Sequence, residues 1–441
     1  MKGKKSALFL LFFSCLVSVF ILSRFTQADV PPMNPAEIAA RFAQLEGRIQ
    51  ELQGEVSTLR QQIEIKGSEA VTAPAGAKAE KPWHEGLKMS GDFRLRYEAL
   101  AHNEATRDRN RIRYRLRWKI EKQITKNMDV GFRFASGSST DPTATNQTLT
   151  GDFTYKNIFI DQAYARYRPT FFSKYLPFIE KTEIAAGKTA NPFLAATTSM
   201  IWDPDVTPEG IYESVGMNFL EGKVKPFANL GQFVLQENAT TSDAELYGVQ
   251  AGTRWSPPGF PDKAAVEFTH AFAYYDFSGY GRDSNFTVSG TSLARGNTAT
   301  GTILNAGDFN IMQIYNEVLF KVAGVPTKFF GDFAMNLADH APDPDGRNVG
   351  YEYGVKVGSA KKKGDWEGTF YYAYIEPNAV VGAFSESDFG NGFADKLGVA
   401  TQLKYQMTDS LRLGFNAFFV SNVVAAKDET RRFSADMEWL F

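Results

Sequence analysis

The sequence predicts an all-β fold, a transmembrane antiparallel β-barrel of about 16 strands preceded by a short N-terminal coiled-coil helix. From residue 87 onward, apolar and polar residues alternate with a period of two, in segments of roughly ten residues separated by turn residues. Short joins alternate with long ones along this region, as in a barrel with short turns at one end and long loops at the other. Ahead of it, residues 37–65 place apolar side chains in alternating steps of four and three, the spacing of a heptad repeat.

Residues 1–28 are predicted to form a cleaved secretion signal. Lysines at positions 2, 4 and 5 precede an apolar stretch that ends at Leu22, and small residues up to Ala28 provide a cleavage site. The stretch is shorter than the roughly 20 residues that a membrane-spanning helix requires. Because the chain's single cysteine, Cys15, lies in this segment, the mature chain is expected to have no disulfide, zinc–thiolate site or cysteine nucleophile.

Residues 29–66 are predicted to form a periplasmic coiled-coil segment through which copies of the chain associate. A parallel, in-register assembly would pair Arg41 with Glu46 and Glu55 with Arg60, and both contacts are attractive. The alternative is an amphipathic helix packed on its own domain, but so narrow an apolar stripe is typical of a coiled-coil seam. The predicted seam consists of Phe42, Ile49, Val56 and Ile63 at position a, with Ile38, Leu45, Leu52 and Leu59 at position d.

Residues 67–86, which contain alanine, glycine, lysine and proline, are predicted to be a linker, and residues 87–441 are predicted to be the barrel. In the barrel region, apolar residues such as Ile112 and Trp118 alternate with basic ones. Because residues two apart share one face of a strand but not of a helix, this pattern predicts strands with one apolar and one charged face. A soluble β-sandwich or propeller is the alternative. Aromatic residues near strand ends, such as Trp439, are instead typical of a girdle at a membrane interface.

The connections provide a second criterion for the barrel. Residues 169–181 interrupt the regular order, because Pro169 and Pro177 break an apolar piece on the side of the short turns, and a small interfacial helix is expected there. Otherwise short and long joins alternate. The predicted short joins are 126–127, 221–223, 361–365 and 407–409, and the predicted long loops lie near 137–157, 190–209, 277–307, 339–348 and 377–393.

The composition excludes several classes of protein. Beyond the first thirty residues no apolar run is long enough for a membrane helix, which excludes a polytopic helical membrane protein. The 48 basic residues are matched by 50 acidic ones, so the basic footprint of a nucleic-acid-binding protein is missing. The four histidines belong to no triad or metal spacing, and we expect neither an enzyme nor a cofactor. Asp339, Asp343 and Asp345 lack the closing glutamate of a calcium loop and are interpreted as an acidic turn, with calcium binding left open.

Several motifs resemble those of the putative porin family of Gram-negative outer membranes, which is distantly related to the phosphate-selective porins. The resemblance covers essentially the whole region after residue 86. The motifs that carry it are residues 91–98 (GDFRLRYE), the arginine-rich run 107–117, Asp141-Pro142 followed by residues 145–149 (TNQTL), and residues 203–210 (DPDVTPEG).

The resemblance implies passive diffusion of small hydrophilic solutes through an outer-membrane barrel, usually in homotrimers embedded in outer-membrane lipid. At about 16 strands, side chains no longer fill a barrel and an aqueous channel remains. The C-terminal residues resemble the signal that the barrel-assembly machinery reads during insertion. They are Phe433, Met437, Trp439 and Phe441.

If the apolar residues face lipid, the basic residues of the first strands must line the channel. Facing lipid instead, each arginine or lysine near the middle of the membrane would cost about 2–4 kcal/mol. The predicted basic wall consists of Arg94, Arg96, Arg109, Arg111, Arg113, Arg115, Arg117, Lys119 and Arg133. The orientation of Arg166 and Arg168 is ambiguous, because Ile160 and Asp161 indicate opposite assignments.

The loop at 190–209 joins the fifth and sixth predicted strands, and in the 16-stranded porins that this chain resembles the corresponding loop narrows the channel. It carries Asp203, Asp205 and Glu209, so an acidic loop would face a basic wall and sort permeants by charge. This arrangement predicts a weak anion preference. The alternative is that the arginines pair with lumenal carboxylates and brace the wall, and the sequence does not separate the two.

A structural function is the main alternative to a diffusion channel. In that interpretation the coiled coil contacts the cell wall or serves assembly, and the barrel is an anchor. A seam of about 29 residues at 1.5 Å per residue reaches roughly 44 Å, which is too short to cross a wide periplasm and favours a role in oligomer assembly. A sheath around an electron-carrying partner is a third possibility, although it would require a wider barrel.

Overall fold

In the computed structural model of the chain, the described residues fall in two units, 1–83 and 84–441. The first unit is described only at nine positions between 44 and 58, all of them helical, and at Pro82. The predicted signal (1–28) and the eight predicted seam residues lie outside the described residues, as do Asp339, Asp343 and Asp345. The second unit is described over residues 84–102, 108–240, 242–257, 266–280, 295–300, 303–304, 309–338, 346–390, 392, 394–424 and 429–441.

The second unit consists almost entirely of β-strands, numbered β1 to β19 along the chain. Three of them, β4, β11 and β12, are two-residue pieces inside loops, and the other strands form the barrel wall. The wall strands are β1 (Leu87–His102), β2 (Arg109–Thr125), β3 (Met128–Ala135), β5 (Phe159–Tyr167), β6 (Ile179–Lys188), β7 (Glu209–Met217), β8 (Val224–Gln236), β9 (Ala244–Trp255), β10 (Glu267–Ser278), β13 (Phe309–Val322), β14 (Val325–Asn336), β15 (Val349–Gly358), β16 (Trp366–Ile375), β17 (Lys396–Gln406), β18 (Leu411–Ser421) and β19 (Thr430–Leu440). The short pieces are β4 (Gln147–Thr148), β11 (Ala299–Thr300) and β12 (Ile303–Leu304).

Each wall strand pairs antiparallel with the next along the chain, and β19 returns to pair with β1. The result is a closed barrel of 16 strands, which confirms the fold predicted from the alternation and the joins. Closure extends to the C-terminal residue, since the amide of Gly91 donates to the carbonyl oxygen of Phe441 at 2.7 Å. A closed ring leaves no open sheet edge, and this satisfies the backbone polar groups inside a membrane.

The two faces of the wall differ as the sequence pattern predicts. On β2, the outward side chains of Ile112 and Trp118 are 46% and 42% exposed, whereas Arg115 between them is 7% exposed and points inward. Polar residues on the inside of β1, β2 and β19, which are neighbours in the ring, therefore meet each other on one side of the lumen. On the opposite side of the interior, a cluster of buried aromatic and aliphatic residues packs around a loop that enters the barrel.

The connections at the two ends differ in length. At one end they include 126–127, 323–324 and 407–410, and at the other 136–158, 189–208 and 376–395. The connection between β5 and β6 contains one turn of helix, α1 (Phe171–Tyr175), where the sequence predicts a small helix. Two short 3₁₀ turns occur at Pro192–Ala195 and Leu220–Gly222. Among the described residues, no helix is both long and apolar enough to cross a membrane.

Candidate functional site: the barrel lumen

The connection between β6 and β7, residues 189–208, folds into the barrel and is called the first inner loop. At its middle it is fixed to β14, where the Asp332 carboxylate accepts the backbone N–H of Thr198 at 2.7 Å. Nearer to β7, Asp205 reaches β2, with its Oδ1 3.0 Å from Nη1 of Arg117. Because β2 and β14 lie on opposite sides of the ring, this loop crosses the lumen.

An aromatic cluster holds the first inner loop against the wall formed by β8 to β13. Trp202 is 1% exposed and lies 5.4 Å, between ring centroids, from Tyr275 on β10. Phe193 lies 5.0 Å from the same tyrosine in an edge-to-face arrangement. The side-chain amide of Gln250 also donates to the carbonyl oxygens of Phe193 and Ala196, at 2.8 and 2.9 Å. The loop is therefore packed as a core element rather than as a surface loop.

The connection between β16 and β17, residues 376–395, also enters the barrel and is called the second inner loop. It meets the first inner loop through backbone groups: the amide of Glu386 donates to the carbonyl oxygen of Ser199 at 2.9 Å, and the amide of Asp203 donates to that of Phe384 at 2.7 Å. The sequence predicts a long loop near 377–393 but does not assign it to the site. Its signal is the apolar run NAVVGAF at 378–384, which an exposed loop would not carry.

The centre of the predicted basic wall is a chain of ion pairs. Arg115 contacts Asp92 at 2.8 Å and Glu438 at 2.6 Å, while Arg117 contacts Asp92 at 2.7 Å in addition to Asp205. The side chains of both arginines are largely buried. These contacts join β1, β2 and β19 to the first inner loop.

A second group of ion pairs joins the wall to the second inner loop. Arg96 contacts Asp436 on β19 at 2.7 Å and Asp388 of the second inner loop at 2.7 Å. Arg432 on β19 contacts the same Asp388 at 3.2 Å and Glu98 on β1 at 3.4 Å. Arg432 and Asp388 were absent from the predicted set, since alternation identifies the face of a residue and not its partner.

Besides Arg109 at the exposed start of β2, two of the predicted wall arginines lack a close carboxylate among the described residues. Arg94 donates from Nη2 to the side-chain oxygen of Asn146 at 2.7 Å. Arg113 donates to the backbone oxygen of the same residue at 3.3 Å, and its nearest carboxylate oxygen, on Glu98, is 3.6 Å away. Arg111 takes the other oxygen of Glu98 in a short hydrogen bond. Around Asn146 the wall therefore keeps an excess of positive charge.

The remaining predicted basic residues lie outside this central group. Lys119 pairs with Glu121 at 3.1 Å on the same strand, and Arg133 on β3 hydrogen-bonds to Asp161. Arg109 is the first residue of β2 and is exposed. The predicted basic wall is thus densely paired with carboxylates in its centre, and Arg109 lies at its exposed edge.

The orientation of Arg166 and Arg168 is decided by a β-bulge. The pairing of β3 with β5 shifts register after Arg133, so that Gln162 and Ile160 oppose successive residues and Asp161 is the extra one. Beyond the bulge the even-numbered residues face inward, and Arg166 hydrogen-bonds to Asp129 at 2.9 Å. Arg168 follows the same parity. Before the bulge Ile160 faces outward and Asp161 inward, so the parity there is opposite to that of Arg166 and does not indicate its orientation.

The three predicted loop acids have different surroundings. Asp205 and Asp203 lie in the first inner loop, where Asp203 accepts the backbone N–H of Ser387 at 2.8 Å. Glu209 is the first residue of β7 and pairs with Lys188 at 2.8 Å, at the rim of the wall. Only two of the three acids therefore lie within the loop itself.

The carboxyl groups where the two inner loops meet do not titrate normally. Burial and the neighbouring Glu386 raise the pKa of Asp203 well above its usual range. Burial and the Asp388 carboxylate raise the pKa of Glu386 to about 7. Arg96 and Arg432 hold the pKa of Asp388 far below its usual value, despite its burial. This junction therefore combines one carboxyl group that is ionised more readily than usual, Asp388, with two that are protonated more readily than usual, Asp203 and Glu386.

The sequence predicts no catalytic or metal site, but it leaves open calcium binding by Asp339, Asp343 and Asp345, which lie outside the described residues. In the described part of the chain, no group of three or more His, Cys, Asp or Glu side chains is arranged to hold a metal ion. The lumenal constellation consists of arginine–carboxylate pairs, hydroxyl groups and backbone amides. Such groups bind water and small ions reversibly, as in the lining of a permeation path.

Comparison with known proteins gives a family match and fold matches. A family model described as "Putative porin" matches residues 101–318 and 309–438. A search of curated proteins finds no match. OprB of Pseudomonas putida is similar in fold, with 11% identity over 81% of this chain and 94% of that one and a TM-score of 0.50. OmpF of Salmonella typhi shows 10% identity over 82% of this chain and 99% of that one, with a TM-score of 0.46.

Proposed function

The chain belongs to the family described as putative porin, a family of the Gram-negative outer membrane, and on that premise we propose that its barrel allows passive diffusion of small hydrophilic solutes. The observation that carries the proposal is the division of the wall into an apolar outer face and an inner face of arginines, carboxylates and amides. Water and hydrated solutes require such a lining, whereas an anchoring barrel has no use for it.

We also propose a weak preference for anions. Most lumenal arginines are matched by carboxylates, which keeps the preference weak. Arg94 and Arg113 are the exceptions described above, and both lie beside Asn146, which offers only neutral oxygens. A permeating anion passing this point is attracted by positive charges that are less closely paired with carboxylates than those of the other lumenal arginines.

The proposal includes assembly as a homotrimer, with insertion guided by the C-terminal residues that end at Phe441. The predicted coiled coil supports association of identical chains, since its flanking charges are complementary between copies. The alternative function, a tether to the cell wall, depends on that same segment, whose seam residues lie outside the described part of the chain. No contact within the barrel favours the tether.

Planar-bilayer recording of the purified full-length protein tests the channel. Stepwise conductance increases in groups of three are expected, with a reversal potential in a salt gradient that indicates modest anion preference. An absence of conductance from a protein that migrates as a folded barrel would contradict the diffusion function. A cation-selective reversal potential would contradict only the proposed selectivity.

A further inference from the structure

The outer apolar face of the barrel gives way to a polar cavity where β3 and β5 meet the short turns. Met128 and Tyr167 are paired across these strand ends, face outward and are 40% and 39% exposed. The adjoining residues Lys126, Asn127 and Arg168 line a cavity of about 260 Å³, which we call the turn cavity. Because short turns face the periplasm in outer-membrane barrels, this cavity lies just beyond the hydrocarbon, at the level of the inner-leaflet headgroups.

Hydrogen bonds to the backbone fix the walls of the turn cavity. The amide of Arg168 donates to the carbonyl oxygen of Asn127 at 2.7 Å, and the hydroxyl of Thr182 donates to that of Pro169 at 2.6 Å. Asn127 donates from Nδ2 to the hydroxyl oxygen of Thr170 at 3.3 Å. Since the Thr170 hydroxyl is the acceptor in this contact, its own hydrogen can be donated to a ligand.

The turn cavity carries an excess of positive charge. Arg168 is matched by carboxylates on two neighbouring strands, whereas Lys181 at the start of β6 approaches Glu183 only to 3.5 Å. Lys126 is exposed, and among the described residues its ammonium group has no hydrogen bond or ion pair. Glu180 is the only acid among the described residues that line the cavity. The two lysines therefore offer a net positive charge to an anionic ligand.

The helix α1 carries an apolar strip beside the turn cavity. Phe171 and Tyr175 are 53% and 73% exposed, and no residue of the helix is buried. Phe172 and Leu176 are exposed as well, and the Lys174 ammonium lies 5.6 Å from the centroid of the Tyr175 ring. Exposed aromatic rings next to lysines are typical of a segment in the membrane interface, where rings face acyl chains and ammonium groups face headgroups.

The connection that contains α1 is held on the outer side of the wall. Glu183 faces inward, where it accepts the hydroxyl of the buried Tyr212 at 2.8 Å. The preceding residue, Thr182, therefore faces outward, because successive side chains of a strand alternate between its faces. Its bond to Pro169 fixes the connection on the side that meets lipid.

From these observations we infer that the turn cavity binds the phosphate of an anionic phospholipid of the inner leaflet. Lys126, Lys181 and the Thr170 hydroxyl donate to the phosphate, while the acyl chains lie along the exposed rings of α1. A lipid is the occupant because the cavity and the rings continue the outer apolar face that ends at Tyr167. Basic pockets at a membrane surface select anionic headgroups by charge. This site goes beyond the diffusion function and does not depend on it.

Native mass spectrometry of the purified full-length protein in detergent, titrated with phosphatidylglycerol, tests the site. The parent protein is expected to retain one tightly bound lipid per chain. Lys126→Gln with Lys181→Gln should weaken its retention, by about fivefold for each lysine removed. Lys361→Gln with Lys362→Gln is the matched control, because it removes two exposed lysines from a turn on the opposite side of the ring, and it should change retention little. Equal weakening in both double variants would overturn the site.

Two competitors distinguish this lipid from other ligands of the same cavity. Phosphatidylcholine, whose headgroup has no net charge, is expected to be retained less well than phosphatidylglycerol, and equal retention would contradict selection by the lysines. Inorganic phosphate at millimolar concentration should not displace the lipid, because it makes no contact with the rings of α1. Displacement would reassign the cavity to free phosphate and overturn the lipid assignment.

Substitutions in α1 test the part assigned to the rings. Phe171→Asp with Tyr175→Asp is expected to lose lipid retention, while heat-modifiable migration shows that the barrel still folds. Unchanged retention would refute the role of α1, and an oligomer that dissociates in this variant would show that a second copy covers the helix instead. Conductance without lipid retention defeats this inference alone, whereas retention without conductance defeats the diffusion function alone.

Discussion

At the scale of single residues, the lumen is organised by which arginines have a close carboxylate. Arg117 contacts two carboxylates, at 2.7 and 3.0 Å, whereas Arg94 contacts only the side-chain oxygen of Asn146. A paired arginine is locally neutral and braces the wall. An arginine without a close carboxylate exerts its positive electrostatic field on the water in the channel. Selectivity for ion charge therefore depends on a few residues rather than on the whole basic wall.

Neutralising the two arginines beside Asn146 is expected to reduce anion preference. At about 8 Å in water a unit charge changes the energy of an ion by on the order of 0.5 kcal/mol, roughly a twofold change in occupancy. Arg94→Gln and Arg113→Gln should therefore each lower the anion-to-cation permeability ratio about twofold, as read from reversal potentials. Arg431→Gln at the exposed end of β19 is the control, and an equal effect there would contradict this local account.

Glu386 makes the junction between the inner loops sensitive to pH. Its pKa of about 7 is above that of an unfolded glutamate, so its contribution to loop docking is complete below about pH 4.5 and is lost as the pH rises through 7. Above pH 7 its charge repels Asp388, and Asp203 lies in the same junction. Asp388 itself stays ionised over this range because Arg96 and Arg432 hold its pKa low.

Current fluctuations of single channels are accordingly expected to increase between pH 5 and pH 8. Glu386→Gln stays neutral at every pH and should remove this dependence while leaving the mean conductance at pH 5 unchanged. Equal current fluctuations of the wild-type channel at pH 5 and pH 8 would show that the contact between the two inner loops does not loosen as Glu386 ionises.

The sequence predicts the face of a residue more securely than its partner. Alternation places Arg96 and Arg115 inside the lumen because the side-chain period of a strand is two. Their partners Asp436 and Glu438 lie more than 300 positions away along the chain, and only strand register brings them together. The faces occupied by the residues around Asp161 are harder still to predict, because a bulge changes the parity of inward-facing residues within a single strand.

At the scale of elements, the first inner loop functions as a packed insert. Trp202 stacks on Phe277 at 5.9 Å and on Phe384 of the second inner loop at 5.8 Å. Its burial therefore fixes both inner loops against the wall. The position of this loop follows from the joins in the sequence, but its docking depends on wall residues that come from several distant strands.

Removing the indole is expected to release the loop. Trp202→Ala deletes a large buried side chain, a change that typically costs about 3–5 kcal/mol. Part of that loss is relieved if the loop leaves the wall, so single-channel recordings should show a larger or noisier conductance. Leu194→Ala alters a half-exposed residue of the same loop and serves as the control. Unchanged conductance in Trp202→Ala would mean that the loop does not set the width of the path.

At the scale of the whole molecule, the ring closes where β1 meets β19, and this seam combines backbone pairing with buried charge. Arg96 is 3% exposed and its Nε and Nη2 contact the two oxygens of Asp436, at 2.7 and 2.9 Å. The number of strands can be predicted from the sequence, because alternation and flanking turn residues identify each strand. The closure of the ring cannot be predicted in the same way, because it joins the two ends of the barrel region and depends on all the strands between them.

Breaking the charge pair across this seam is expected to destabilise the whole barrel. Asp436→Leu leaves Arg96 buried with only Asp388, and removing one partner of a buried pair typically costs about 3–5 kcal/mol. The folded, fast-migrating form on gels should then disappear at a lower temperature and a lower urea concentration than in the parent protein. Arg431→Gln removes an exposed pair between β19 and Glu429, which lies just before that strand, and should change the stability read from either midpoint by less than about 1 kcal/mol. Equal shifts in both variants would show that the buried pair contributes no more than an exposed one, and that backbone pairing alone closes the ring.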